Sequence, residues 1–163
     1  METAIFAAGC FWGVQYYFDQ VPGVVETVVG YTGGKKHNPT YEEVCTHTTG
    51  HAEAVKVTFN PSIVSYETLL KQFFRMHDPT QLNRQGPDIG DSYRSAIFYT
   101  TDEQKELAEE AKKDTQANFS EPIVTEITKA SEFWPAEDYH QKFAERTGRG
   151  MCHIAYAPVE SRK

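Results

Sequence analysis

Cys10 stands where the sequence turns from an apolar run into a helix. Ala4-Ile5-Phe6-Ala7-Ala8 is continuously apolar, the pattern of a central strand buried on both faces, and Gly9 marks a sharp exit before a helix beginning at Phe11. At a helix start the unpaired N–H groups and the positive end of the dipole stabilise a thiolate, and thiol pKa values at such places fall to ~3.5–7.5 from ~8.5. Cys10 is therefore a candidate nucleophile; the competing reading is a small apolar residue filling a tight corner. Phe11 and Trp12 follow it directly. Two rings beside a thiol can cage an apolar group such as a methyl, or can be ordinary core. Glu53 is the candidate acid. By strand parity it faces the same way as Val55, Val57 and Phe59. On an apolar face a carboxyl is desolvated, which favours the neutral acid and raises its pKa from ~4.3 by up to ~3–5 units when burial is complete. At the first residue of a strand it can equally stay solvated.

Cys45, His47 and His51 form Cys-x-His-x3-His, which invites a zinc reading with an open fourth position, or a structural one completed by Cys152 or His153. No Cys-x-x-Cys pair accompanies it, and a solvated loop is the simpler account, so no metal ligand is assigned. Cys152 lies in Gly148-Arg149-Gly150-Met151-Cys152. A thiol on a flexible glycine-rich tail can reach another cysteine and leave again, as a disulfide partner must, or can be a free thiol without a role.

The elements that must position these groups follow from the pattern. A helix from Phe11 to about Gln20 ends at Pro22-Gly23, and strands run from Val24 to Tyr31 and from Ala52 to Phe59. Tyr66, Leu69, Leu70, Phe73, Phe74 and His77 recur at helical spacing behind Ser65 as N-cap. A strand at Ser95–Tyr99 leads into Thr101-x-x-Gln104, which opens a helix to about Asn118. Ile123–Ile127 reads as a strand and Ala136–Arg146 as a last helix with Pro135 at its start. The order predicts an α+β fold, a mixed sheet with helices packed on it around a ferredoxin-like split βαβ core. Pro79–Tyr93 is a loop of roughly 15 residues, a length that is often functional; it holds Arg84, Asp88 and Tyr93.

Composition narrows the function classes. A chain of 163 residues fits one domain, expected to span 1–163 with a flexible tail from about 148. A net charge of -7 with scattered Lys and Arg argues against nucleic acid as a partner. No apolar run approaches the ~20 residues that span a bilayer, so no membrane partner is expected. The N-terminus reads as lacking a secretory signal, which makes a cytoplasmic location the expectation. Three cysteines do not complete a disulfide framework.

Taken in order, Gly9-Cys10-Phe11-Trp12-Gly13, Gly30-Tyr31-Thr32-Gly33-Gly34, Asn38-Pro39-Thr40-Tyr41, Gly50-His51-Ala52-Glu53-Ala54-Val55, His77-Asp78-Pro79, Arg84-Gln85-Gly86 and Tyr93-Arg94-Ser95 resemble the A class of peptide methionine sulfoxide reductases. The resemblance covers about residues 3 to 145. It implies reduction of the S epimer of methionine sulfoxide, free or in peptides and oxidised proteins, back to methionine. It implies Cys10 as nucleophile and Glu53 as general acid, with Phe11 and Trp12 holding the ε-methyl group. Tyr41, Asp88 and Tyr93 would bind the sulfoxide oxygen or the substrate backbone and help organise the site. A sulfenic acid on Cys10 would be resolved by Cys152, and the resulting disulfide opened by thioredoxin, with no metal or organic cofactor. Cys45 lies outside the family's catalytic pattern; its use as an alternative resolving thiol stays open. Two further readings compete: a zinc module on Cys45, His47 and His51, and a noncatalytic interaction domain in which Phe11 and Trp12 bind a peptide.

Overall fold

Five consecutive apolar residues can be buried on both sides only inside a sheet whose two faces are both covered. In the computed structural model, which describes residues 1–148, that is where they sit. Strand β1 (Glu2–Ala8) is central, antiparallel to β3 (Ala52–Phe59) on one side and to β6 (Ser95–Tyr99) on the other. Helix α1 (Phe11–Asp19) links β1 to β2 (Val24–Thr32), and β3 inserts antiparallel between those two strands. Helix α3 (Tyr66–Met76) then links β3 to β6. This is the split βαβ arrangement, in strand order β6-β1-β3-β2. Helix α4 (Asp102–Gln116) carries the chain to β7 (Glu126–Lys129), parallel to β6, and the two-residue β8 (Trp134–Pro135) closes the other edge against β2. The fold is α+β with a mixed sheet, as the order of elements predicts.

One face carries the larger core. Phe6 stacks on Phe18 of α1 at 5.2 Å and on Phe73 of α3 at 5.3 Å, and Val55, Val57 and Phe59 of β3 belong to the same cluster. The opposite face, with Ile5, Ala7, Ala52, Ala54 and Phe98, is smaller and is covered by Ala130 and Phe133. The α3 cap forms as its sequence predicts, with Ser65 Oγ accepting from the Thr68 N–H. Thr101 Oγ1 caps α4 by accepting from the Gln104 N–H. No helix among the described residues is long and apolar enough to cross a membrane.

Three segments depart from the pattern. The expected strand Ile123–Ile127 begins three residues later, because the N–H groups of Ile123 and Val124 go to Gln116 Oε1 and to the Pro79 carbonyl instead of a ladder. A short helix α2 (Tyr41–Cys45) forms where none was expected, closed by a reciprocal capping box between Thr40 and Glu43. The expected helix Ala136–Arg146 is broken. Pro135 pairs with Gly30, the Ala136 N–H donates to the Val29 carbonyl, Asp138–His140 is a single 3-10 turn, and only α5 (Phe143–Thr147) is helical.

The cause of that break is polar bonding to the body of the protein. The Gln141 side chain pairs with both backbone groups of Val29, and the Lys142 N–H donates to Gln15 Oε1 at 2.7 Å. Lys142 takes a left-handed conformation (φ 59°), which costs about 1–2 kcal/mol. Its ammonium sits 2.8 and 2.9 Å from the two Asp19 oxygens and 2.9 Å from Thr27 Oγ1, which offsets that strain.

Attachment of the strap formed by residues 134–147 depends on Gly30, where an added Cβ would overlap the Trp134 carbonyl oxygen and lie 2.6 Å from the Phe133 ring. Gly30→Ala should displace β8 and destabilise the protein by about 1–3 kcal/mol, read as a lower urea midpoint. An unchanged midpoint would show that β8 contributes nothing to holding the strap.

Candidate active site

Gly9, at φ 99°, turns the chain out of β1 so that Cys10 becomes the N-cap of α1. Cys10 is buried (8% exposed), and no side chain caps the helix from its position. The first free N–H of α1, that of Phe11, donates instead to Glu53 Oε1 at 3.2 Å. The carboxyl therefore reaches the residue next to the thiol across a sequence separation of 42. Glu53 is 1% exposed, on the helix-covered face, so the solvated alternative at the strand start does not hold. Its other oxygen, Oε2, is buried with no hydrogen-bond partner among the described residues. Burial drives its pKa up to about 8; the Phe11 N–H opposes this and the charge of Asp88 adds to it. A neutral carboxyl accepting on Oε1 and protonated on Oε2 accounts for all three observations.

Aromatic rings surround this pair. Phe11 is fully buried against Tyr31 (5.7 Å between centroids) and Tyr41 (6.3 Å), so it is core as well as wall. Trp12 is only half-buried and stacks on Phe143 at 4.0 Å. Tyr41, the first residue of α2, is anchored through its own N–H, which donates to Glu137 Oε2, while Glu137 Oε1 accepts from the Tyr31 hydroxyl at 2.8 Å. Burial holds the hydroxyls of Tyr41 and Tyr93 protonated, and Glu53, once ionised, acts in the same direction on both. Tyr93 also feels Asp88 and Cys10, so the structure brings Cys10, Glu53, Tyr41, Asp88 and Tyr93 into one electrostatic neighbourhood. Cys152, the candidate resolving cysteine, and the tail lie outside the described residues.

The long loop is built, not slack. It contains a small hairpin, β4 (Arg84–Gln85) with β5 (Asp88–Ile89), and a 3-10 turn at Asp91–Tyr93. The Gln85 side chain bonds both backbone groups of Asp78, and Gln81 Oε1 accepts from the Gly86 N–H. His47 faces Asp91 at 3.5 Å and Ser92 Oγ at 3.3 Å, joining this loop to the chain after α2. Gly90 (φ 137°) lies so close to the His47 ring that any Cβ there would strike it.

The zinc arrangement is not assembled. His51 is buried, its Nδ1 accepting from the Gly34 N–H and its Nε2 facing the Lys36 carbonyl at 2.7 Å, whereas His47 turns to Asp91. Among the described residues no three His, Cys, Asp or Glu side chains gather to hold a metal ion. Cys45 instead lies beside Tyr41 and Tyr93 at the rim of the site. Residue patterning missed Glu137 and His140, which sit inside the stretch read as continuous helix. The signal for α2 was present, Thr40 followed by Glu43.

The family model for peptide methionine sulfoxide reductase matches residues 2–163. The chain belongs to that family. It is thus a methionine sulfoxide reductase, an oxidoreductase by class. The peptide methionine sulfoxide reductase MsrA of Methanosarcina mazei is 57% identical over 150 residues, 91% of this chain and 71% of that one. Among solved structures, Mxr1 from Saccharomyces cerevisiae in reduced form superposes with a TM-score of 0.87 at 32% identity, covering 96% of this chain and 88% of that one. Mxr1 in complex with Trx2 matches at 0.64 and 26% identity, over 88% and 84%.

In this reductase the Glu53 carboxyl has an ordinary pKa of 4.5 when unfolded and about 8 when folded. Between those values the folded form keeps a proton that the unfolded form has lost, so the contribution of Glu53 to stability is fully present below about pH 4.5 and is lost as pH rises through 8. Urea unfolding of Glu53→Gln against wild type should show the variant more stable at pH 8.5 by on the order of a few kcal/mol, with the gap closing toward pH 4. A gap independent of pH would contradict a protonated, buried Glu53.

Proposed function

We propose that the reductase acts on the S epimer of methionine sulfoxide, free or in oxidised peptides and proteins, and that thioredoxin regenerates it. The observation that carries the chemistry is the buried Glu53 carboxyl, bonded to the N–H of the residue following Cys10 and holding its proton up to about pH 8. A sulfoxide oxygen leaves poorly as an anion, so attack at sulfur needs a proton donor that is still neutral at working pH. The Cys10 thiolate attacks the sulfoxide sulfur, and the Glu53 Oε2 proton passes to the sulfoxide oxygen. That attack joins the Cys10 sulfur to the substrate sulfur; the protonated oxygen then leaves the substrate sulfur and bonds to the Cys10 sulfur as the sulfur–sulfur bond breaks with its electron pair going to the departing methionine, which leaves Cys10 as a sulfenic acid. Phe11 and Trp12 receive the methyl group, and the hydroxyls of Tyr41 and Tyr93, with Asp88, orient the oxygen and the substrate backbone.

Cys152 resolves the intermediate. Its thiolate attacks the sulfenic sulfur, water leaves after protonation, and a Cys10–Cys152 disulfide forms. Residues 1–163 act as one domain in this scheme, with the tail from about 148 supplying the second thiol. A thioredoxin dithiol then reduces the disulfide; the likeness to Mxr1 in its complex with Trx2 supports this choice of reductant. No metal or organic cofactor takes part, and the cytoplasm, where thioredoxin keeps thiols reduced, is the proposed compartment.

The decisive test follows both sulfoxide epimers with thioredoxin recycling. Wild type should consume only the S epimer, Cys10→Ser should consume neither, and Cys152→Ser should form one methionine per enzyme and then stop. Sustained turnover by Cys10→Ser, or thioredoxin-supported cycling by Cys152→Ser, would contradict the assigned cysteine roles.

A further inference from the structure

The loop that carries Asp88 and Tyr93 hangs on a small piece of structure. Strands β4 and β5 have two residues each and form a sheet of their own, apart from the main sheet. A hairpin of that size does not hold its shape in water by itself. Two residues join the strands, Gly86 in the left-handed region (φ 56°) and Pro87. Gln85 and Asp88 are direct partners across the hairpin, so whatever fixes Gln85 also fixes Asp88. Gln85 is 2% exposed, whereas Arg84, Pro87 and Ile89 around it are exposed.

The Gln85 amide does what a neighbouring strand would do. Its Oε1 accepts from the Asp78 N–H at 3.0 Å and its Nε2 donates to the Asp78 carbonyl at 2.6 Å. A carboxamide presents a donor and an acceptor side by side, as a backbone does, and here one side chain satisfies both groups of one residue. Asp78 directly follows His77, whose ring nitrogens lie 2.7 Å from the Phe73 carbonyl and 2.7 Å from Ser95 Oγ. Ser95 in turn pairs with Ala8, just ahead of Gly9 and Cys10. The hairpin is thus hung from the same framework that ends in Cys10. Gln81 Oε1 accepts from the Gly86 N–H and steadies the turn, and His47 holds the far end of the loop at Asp91 and Ser92.

We infer that Gln85 is a positioning residue: by pairing with both backbone groups of Asp78 it holds the Asp88 carboxylate in the neighbourhood of Glu53. The inference rests on the reading of Glu53 as proton donor, and it gives Gln85 no contact with substrate or with the reacting atoms. Glu53 is faced by Cys10 and the Phe11 N–H at the start of α1, Tyr31 on β2, Tyr41 and Cys45 on α2, Asp88 on β5 and Tyr93 on the 3-10 turn. Of these, Asp88 is the group whose charge adds to burial in keeping the proton on Glu53. A hairpin that swings away takes that charge with it, and the acid then loses its proton at lower pH.

The test follows single turnovers of pre-reduced full-length enzyme with an S-sulfoxide peptide across pH 6 to 10 and reads the pH above which the rate falls. In wild type that break is expected at about 8. Asp88→Asn removes the charge and keeps the tether, and should lower the break by about half a pH unit or more. Gln85→Met keeps the length of the side chain, loses both bonds to Asp78, and should lower the break by a similar amount. In the Asp88→Asn background Gln85→Met should move the break no further, because the two changes act through one charge. Should the Met variant not fold, Gln85→Asn, one methylene too short to reach both groups, takes its place in the same comparison. A break that stays in place in the Gln85 variant or in Asp88→Asn overturns the inference. A further fall of similar size when the two changes are combined also overturns it, since Gln85 then acts on Glu53 by another route. A wild-type rate without a break near pH 8 overturns the reading of Glu53 itself, whereas a wild-type break that the Gln85 variant leaves unmoved overturns only the inference about Gln85.

Discussion

One hydrogen bond, from the Phe11 N–H to Glu53 Oε1, ties the residue after Cys10 to the carboxyl, and with it the two groups to which the proposed chemistry is assigned. The first turn of any helix has N–H groups with no partner inside the helix, and in α1 a carboxyl from the neighbouring strand takes one of them. An ionised carboxylate would accept that bond more strongly, and the bond by itself pulls the Glu53 pKa down. Burial acts in the other direction and prevails, because the side chain lies on the helix-covered face of β3, in line with Val55, Val57 and Phe59. The result is an acid whose orientation is set by the helix and whose protonation is set by the core. In the proposed reaction, loss of the first constraint would misplace the proton donor and loss of the second would leave it without its proton.

A second set of interactions closes the aromatic enclosure. Gln15, Asp19 and Thr27, on α1 and β2, hold Lys142, and the Val29 backbone of β2 holds the Gln141 side chain, so the strap lies against α1 and β2 and not along a helix of its own. Glu137, His140 and Phe143 then project from this strap toward Tyr31, Tyr41 and Trp12. The strained Lys142 and the buried Nε2 of His140, which has no hydrogen-bond partner among the described residues, are local costs. They are met by contacts that set the walls of the site, as is common where structure serves function.

Much of this was legible in the residues themselves. An apolar run, a glycine, a cysteine and two aromatics specify a buried strand turning into a helix, and Cys10 sits at that junction. Strand parity found the face of Glu53, but whether the first residue of a strand is covered depends on what packs over it. Here that is the start of α1, 42 residues away, which no local pattern records. The strap was misread for the same reason. Its composition suits a helix, and its actual path follows side-chain bonds to Gln15 and Val29, more than a hundred residues distant. His140 and Glu137 were invisible because their importance lies wholly in those distant partners, while the motifs in family order carried the reaction class.

The central claim is that a neutral Glu53 donates the proton that lets Cys10 displace methionine from its sulfoxide. Rapid-mixing measurement of the single-turnover reduction rate across pH 6 to 10, in wild type and Glu53→Gln, tests it most directly. The account predicts a wild-type rate that is level at low pH and falls tenfold per pH unit above about 8, where the acid is lost. The variant should be slower by a factor of about 10² or more below pH 8, without that break. A variant as fast as wild type, or one that keeps the same break near pH 8, would contradict it.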